Sequence, residues 1–241
     1  PGAVGSRDWE RSRLAALYAL AQGDAPVVVA TADGLMARTL PPETLRSLAI
    51  TLEVGGQAEL GALAEQLLSA GYTRCEQVEG VGQFALRGGI LDVFSPLMDQ
   101  PVRCEFFDDE IDSMGAFDPG TQRRTRNVSS ARILPAAEVL PGLAPGGLTH
   151  LAEQIEKLAV KYAKKENGEK IAQTLRGDAE RFRSGAEVNG LDRYLSLIYP
   201  DAAGGADYLP PDAVVFLCEG GRVEQRVKTV LLQLHQDTEA L

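Results

Sequence analysis

From Gly82 to Leu134 apolar residues return at every second position rather than every third or fourth, and the short runs they form are broken by GG, DQP, DDE and DPG. A period of two sends successive side chains to opposite faces of an extended chain, and breaks of this composition are turn formers. This part of the chain therefore reads as an antiparallel meander. Just before it, Leu60, Leu63, Leu67 and Leu68 make the stripe of an amphipathic helix that ends near Gly71. Such a helix packs on one face of the meander. AITLEVG, Ala49 to Gly55, reads as a further strand.

The flanks follow a different rhythm. Trp9, Leu14, Leu17 and Ala21 predict a helix from Asp8 to Gln22, stopped by Gly23. APVVVATA, Ala25 to Ala32, is a β-branched run expected to form a strand buried on both faces. ADGLMAR then predicts a short helix, and Pro41-Pro42 opens the next at its permitted first turn. PGLAPGG, Pro141 to Gly147, has the composition of a linker. Beyond it Leu151, Ile155, Leu158 and Tyr162 mark one helix, and Ile171, Leu175, Ala179 and Phe182 a second. AVVFLC, Ala213 to Cys218, predicts a returning strand, and Val223, Val227, Val230, Leu231 and Leu234 one side of a last helix.

The expected class is α/β. A partial α/β domain, in residues 1–49 and 136–241, is interrupted at residues 50–135 by a small β-rich domain. One or two βα units cannot cover both faces of a sheet, so the partial domain must complete itself elsewhere. With an opening at Pro1 rather than Met, the chain is expected to be a fragment of a longer protein.

Composition narrows the function. The chain of 241 residues carries 34 acidic and 24 basic residues, a net charge of −10. Duplex DNA is held by Lys and Arg on its phosphates, so a chain this acidic is a poor general DNA binder and points toward a protein partner. No run approaches the ~18–20 consecutive apolar residues of a membrane span. Three scattered cysteines, Cys75, Cys104 and Cys218, suggest neither a disulfide framework nor a zinc site, and fit a reduced cytoplasm. His150 and His235 stand far apart, and no metal site is expected. DDEIDS, Asp108 to Ser113, gathers four carboxylates but lacks the spacing of a calcium loop, and reads as a solvated turn.

One constellation stands out. In PVRCEFF, alternation sends Val102, Cys104 and Phe106 to one face and Arg103, Glu105 and Phe107 to the other. A hairpin partner ending in Arg87 brings a second guanidinium to that charged face. An aromatic flanked by two arginines has the make-up of an interaction hot spot. The residues alone leave a plainer reading open, because single exposed aromatics are common and arginine stems often cover sheets. Gly88-Gly89 can be simple turn residues, and Asp92 can accept a hydrogen bond from the turn backbone or from an arginine.

GQFALRGGILDVFSP, PVRCEFFDDEIDSMGAFDPGTQR and ILPAAE, in this order and spacing, resemble one family, the bacterial transcription-repair coupling factors (Mfd). VVVATADGLMARTLPP and DYLPPDAVVFLCE look like the stretches flanking that family's UvrB-like domain. The resemblance implies a partial RecA-like α/β domain, like UvrB domains 1a and 1b, interrupted by a small α+β domain like UvrB domain 2. It implies recruitment of UvrA, and it carries over three contact residues: Arg87 from the RGG turn, Arg103 from the P-x-R strand and Phe107 from FFDDE. No GxxxxGK[ST] occurs in the chain. Where the UvrB strand delivers acidic ligands to magnesium, this sequence has Cys218 followed by Glu219, a degenerate nucleotide site, since a neutral thiol does not replace a carboxylate for Mg²⁺. A non-catalytic adaptor without a cofactor is implied, with RNA polymerase and DNA left to domains outside this chain. The alternatives are a fragment of a UvrB-type ATP-dependent protein, or a module that touches other domains of its own protein. Lys157, Lys161, Lys164 and Lys165 give the helical section a basic side, read as a solvated helix face.

Overall fold

The computed structural model describes residues 7–25 and 27–239. The helices in chain order are α1 (Arg7–Gln22), α2 (Ala32–Met36), α3 (Pro42–Leu48), α4 (Leu60–Ser69), α5 (Gly147–Tyr162), α6 (Glu169–Ser184), α7 (Leu195–Ile198) and α8 (Gly220–Glu239). The strands are β1 (Ile50–Glu53), β2 (Thr73–Arg74), β3 (Gln83–Arg87), β4 (Ile90–Val93), β5 (Val102–Phe107), β6 (Glu110–Phe117), β7 (Arg124–Asn127) and β8 (Ser130–Ile133). The chain divides into two compact units, one of Pro1–Gln22 with Pro42–Leu140, the other of Gly23–Pro41 with Pro141–Leu241. This packing differs from the expected boundaries at 49/50 and 135/136, because α1 and α3 go with the β-rich unit.

In that unit β2 to β7 form one sheet in sequence order. All its pairs are antiparallel except β2 with β3. The last strand of the expected meander, β8, leaves the sheet and pairs with β1. Glu59 caps α4, its carboxylate accepting from the backbone N–H of Gly61 and Ala62 at 3.0 Å each. The period-3.6 stripe of α4 then buries Leu63 and Leu67 against Phe84, Leu91, Val93, Val102, Cys104, Ile111 and Met114. The opposite face carries a smaller cluster, Val78, Ala85, Phe94 and Phe117. Both faces of the central strands are thus covered in part. The rest of the second face is where polar side chains gather.

The second unit is built on the α5–α6 pair. Leu151, Ala152, Ile155 and Ala159 of α5, and Ala172, Leu175, Ala179 and Phe182 of α6, are buried. Buried Asp178 accepts from the Tyr194 hydroxyl at 2.7 Å, and Phe182 meets the Tyr194 ring edge-on at 5.8 Å. PGLAPGG is no loose linker, for it supplies a 3-10 turn, Pro141–Leu143, and the first residue of α5.

Two expected strands are corrected here. Neither Val27–Val29 nor Ala213–Leu217 is in a strand, and Val29 is 95% and Phe216 84% exposed. The physical reason is that a strand's backbone groups need ladder partners, and among the described residues these segments have none. Pro26 lies outside the described residues. On α8, Val223, Val227 and Val230 are half-buried and share one side, while Leu231 is exposed. The side chain of Leu234 lies outside the described residues. No described helix is long and apolar enough to cross a membrane.

Candidate partner-binding surface

The surface begins at the β3–β4 hairpin. Its turn is Gly88-Gly89, with Gly88 at φ +57°, a left-handed conformation that glycine adopts without a Cβ penalty. Gly89 serves a different end. A Cβ there would stand 3.0 Å from the carbonyl oxygen of Phe106, and the Phe106 N–H donates to the Gly89 carbonyl at 2.7 Å. The first glycine makes the turn, and the second lets β5 come close.

The register then sets the side chains in rows. Ala85 faces Asp92, Asp92 faces Arg103 and Arg103 faces Gly115, across β3, β4, β5 and β6. The next row is Arg87, Ile90, Glu105 and Ser113. Phe107 follows Glu105 on the same side of β5, one residue before the Asp108-Asp109 tip, and is 80% exposed. Phe106 packs instead against the α4 side of the core. The register shift between Glu105 and Phe106 is taken up by Asp112 on β6, so β5 keeps its period of two and Arg103 and Phe107 share a face.

Asp92 joins the two arginines. Its side chain is fully buried, with 0% exposure. Arg103 forks onto it, Nε donating to Oδ1 at 2.7 Å and Nη2 to Oδ2 at 2.9 Å. Arg87 adds Nη2 to Oδ2 at 2.5 Å, while its Nη1 donates to the Glu76 carbonyl at 3.2 Å. The Arg103 guanidinium also lies 4.7 Å over the Phe117 ring, and the Asp92 hydrogen bonds hold it above its ordinary pKa. Asp92 thus sits between two guanidiniums, and the Glu105 carboxylate on the same face also acts on Arg103. The side chain of Arg87 is 45% exposed and that of Arg103 21%, so Arg87 meets solvent more than Arg103 does.

Of the three expected contact residues, Arg87 and Arg103 are brought together. Phe107 shares their face but stands apart, with Glu105 between it and Arg103 along β5. Glu105 is itself held, accepting from the Ser113 hydroxyl at 2.7 Å. Sequence reasoning allowed Asp92 a hydrogen bond from an arginine but did not foresee that both arginines share it, although hairpin register offered a signal. With Arg87 opposite Ile90, Asp92 is the diagonal neighbour of Arg87 and within reach of a long side chain.

Cys218 and Glu219 lie elsewhere, in the exposed turn before α8, where Glu219 accepts from Arg222 Nη1 at 2.8 Å. Asp108 and Asp109 form the exposed β5–β6 tip. Among the described residues no cluster of His, Cys, Asp and Glu is arranged to hold a metal ion.

The strands that carry this surface match a known family. Residues 50–138 fit the family model described as the UvrB interaction domain. This segment belongs to the UvrB interaction domain family. The UvrB interaction domain starts at the first residue of β1 and ends just past β8, so it holds Arg87, Asp92, Arg103 and Phe107 together. Beyond it, the chain is similar to curated transcription-repair-coupling factors. That of Bacillus subtilis is 33% identical over 228 residues, 92% of this chain and 19% of the relative. That of Myxococcus xanthus is 44% identical over 129 residues, 53% of this chain and 11% of the relative. That of Staphylococcus epidermidis is 28% identical over 226 residues, again 92% of this chain and 19% of the relative. The chain thus spans about a fifth, 19%, of the length of relatives matched along almost all of it.

Proposed function

We propose that this chain is a non-catalytic module that mimics UvrB and recruits UvrA, in the manner of a transcription-repair coupling factor during nucleotide excision repair. One observation carries the proposal. Inside a UvrB interaction domain, a half-exposed arginine and a more covered one, Arg87 and Arg103, rest on one buried carboxylate, on the same face as an aromatic ring that is 80% exposed. A bare phenyl ring in water gains when a partner's pocket takes it. Arginine N–H groups already aimed by Asp92 lose little freedom on meeting a partner carboxylate or carbonyl. Arg87, Arg103 and Phe107 are the contact residues in this reading.

The module works without nucleotide or metal. Cys218 and Glu219 take the place of the acidic ligands that UvrB gives to magnesium, and the Glu219 carboxylate is spent on Arg222. ATP-driven motion, and contacts with RNA polymerase and DNA, belong to segments of the longer protein outside this chain. The working compartment is the cytoplasm.

Calorimetric titration of UvrA with the 241-residue chain tests the proposal. The variant Arg87→Ala/Arg103→Ala/Phe107→Ala, verified as folded by circular dichroism, is expected to bind at least a hundredfold more weakly, since hot-spot truncations cost ~2 kcal/mol or more each. Unchanged affinity in the folded variant would refute it.

A further inference from the structure

We infer that Asp92 is the positioning residue of this surface: its buried carboxylate locks Arg87 and Arg103 side by side in the orientation a partner meets. The inference rests on the UvrA-binding reading and adds a residue that the partner cannot touch.

Asp92 has no exposed side-chain surface. Its two oxygens take three guanidinium N–H bonds, two from Arg103 and one from Arg87. Each arginine has a second tether. Arg87 reaches the Glu76 carbonyl at 3.2 Å. Arg103 lies over Phe117 at 4.7 Å, with Nη2 3.4 Å from Gln122 Oε1, and Gln122 in turn donates to the carbonyls of Val78 and Pro119 at 3.1 and 2.7 Å. Tethers of this kind use only part of each fork. Arginine has five N–H donors, and among the described residues Nη1 of Arg103 and Nε of Arg87 make no bond.

The arrangement differs from an ordinary structural ion pair in one respect. A single Arg–Asp fork satisfies a buried carboxylate. Here a second arginine, on the other side of Asp92 in the sheet, is drawn onto the same oxygen while almost half of its side chain stays in water. The second guanidinium is more than the buried carboxylate requires, since the Arg103 fork already reaches both of its oxygens. A shared anchor is useful where two arginines must face the same way before a partner arrives. Freezing them beforehand removes the cost of ordering two long side chains from association.

The test pairs Asp92→Asn with Arg87→Ala/Arg103→Ala in the full chain, with UvrA affinity read at high ionic strength, where the charge uncovered by Asn is screened. Asp92→Asn alone is expected to weaken binding by roughly five- to a hundredfold, the loss of two pre-ordered side chains. In the double-arginine background it is expected to weaken binding no further, because its effect runs through those arginines. Full additivity, or an unchanged affinity for Asp92→Asn beside a clear loss for the arginine variant, would remove Asp92 from the surface while leaving the UvrA reading intact. An arginine variant that binds like the parent would remove the UvrA reading itself. Should Asp92→Asn not fold, side-chain NMR of the unaltered chain decides. The Arg103 Nε–H is expected to be rigid and shifted in the free protein, unlike that of exposed Arg123; equal mobility of the two would contradict the inference.

Discussion

Cys104 sits midway along β5, opposite Leu91 on one side and Met114 on the other, and burial pushes its thiol from 9.0 up to about 12. Burial likewise raises the Tyr72 hydroxyl above its ordinary value; that hydroxyl donates to the Leu134 carbonyl at 2.5 Å. Both groups hold their protons more tightly folded than unfolded. Their contribution to stability is complete below the unfolded pKa and is lost as pH climbs toward the folded one. Thermal unfolding is therefore expected at falling temperature from about pH 9 upward, and Cys104→Ala should flatten that slope, as calorimetry over a pH series would record. At neutral pH a thiol reagent is expected to label exposed Cys218 and to spare Cys104 until the chain unfolds. Residue-level readings from the sequence succeeded where only alternation mattered, as with Phe107 facing out and Phe106 facing in. They stopped at Asp92, whose role depends on the joint register of β3, β4 and β5, a long-range property that no single strand displays.

At the scale of elements, the β3–β4 hairpin sets the site. Gly88 at φ +57° holds the turn that puts Arg87 opposite Ile90 and Asp92 opposite Arg103. Gly88→Ala is expected to cost ~1–2 kcal/mol, the penalty of a Cβ in left-handed backbone, whereas Gly88→Asn should keep most of the stability because Asn tolerates that conformation. Urea unfolding of the two variants gives the comparison. Most elements were legible in advance because their signals are local. The stripe of α4, the start of α3 at Pro42 and the tip at Asp108-Asp109 each depend on a few neighbouring residues. Val27–Val29 and Val214–Leu217 were not. A β-branched run records a preference for a paired, covered environment, and it forms a strand only when a neighbour supplies the ladder.

On the scale of the whole molecule, a chain with net charge −10 gathers two arginines on a sheet face that also presents an aromatic ring. The relatives matched along almost the whole chain are about five times its length, as the 19% share implies. The arginine pair is built from Asp92 and the β3–β4 hairpin, both inside the segment that fits the UvrB interaction domain. The most direct test of that account is a competition. A preformed UvrA–UvrB complex is titrated with this chain and resolved by size-exclusion chromatography with light scattering. Progressive release of UvrB, with a UvrA complex of this chain in its place and no release by the Arg87→Ala/Arg103→Ala/Phe107→Ala variant, is the predicted result. A stable assembly holding UvrA, UvrB and this chain on the same UvrA site count, or no association at all, would contradict it.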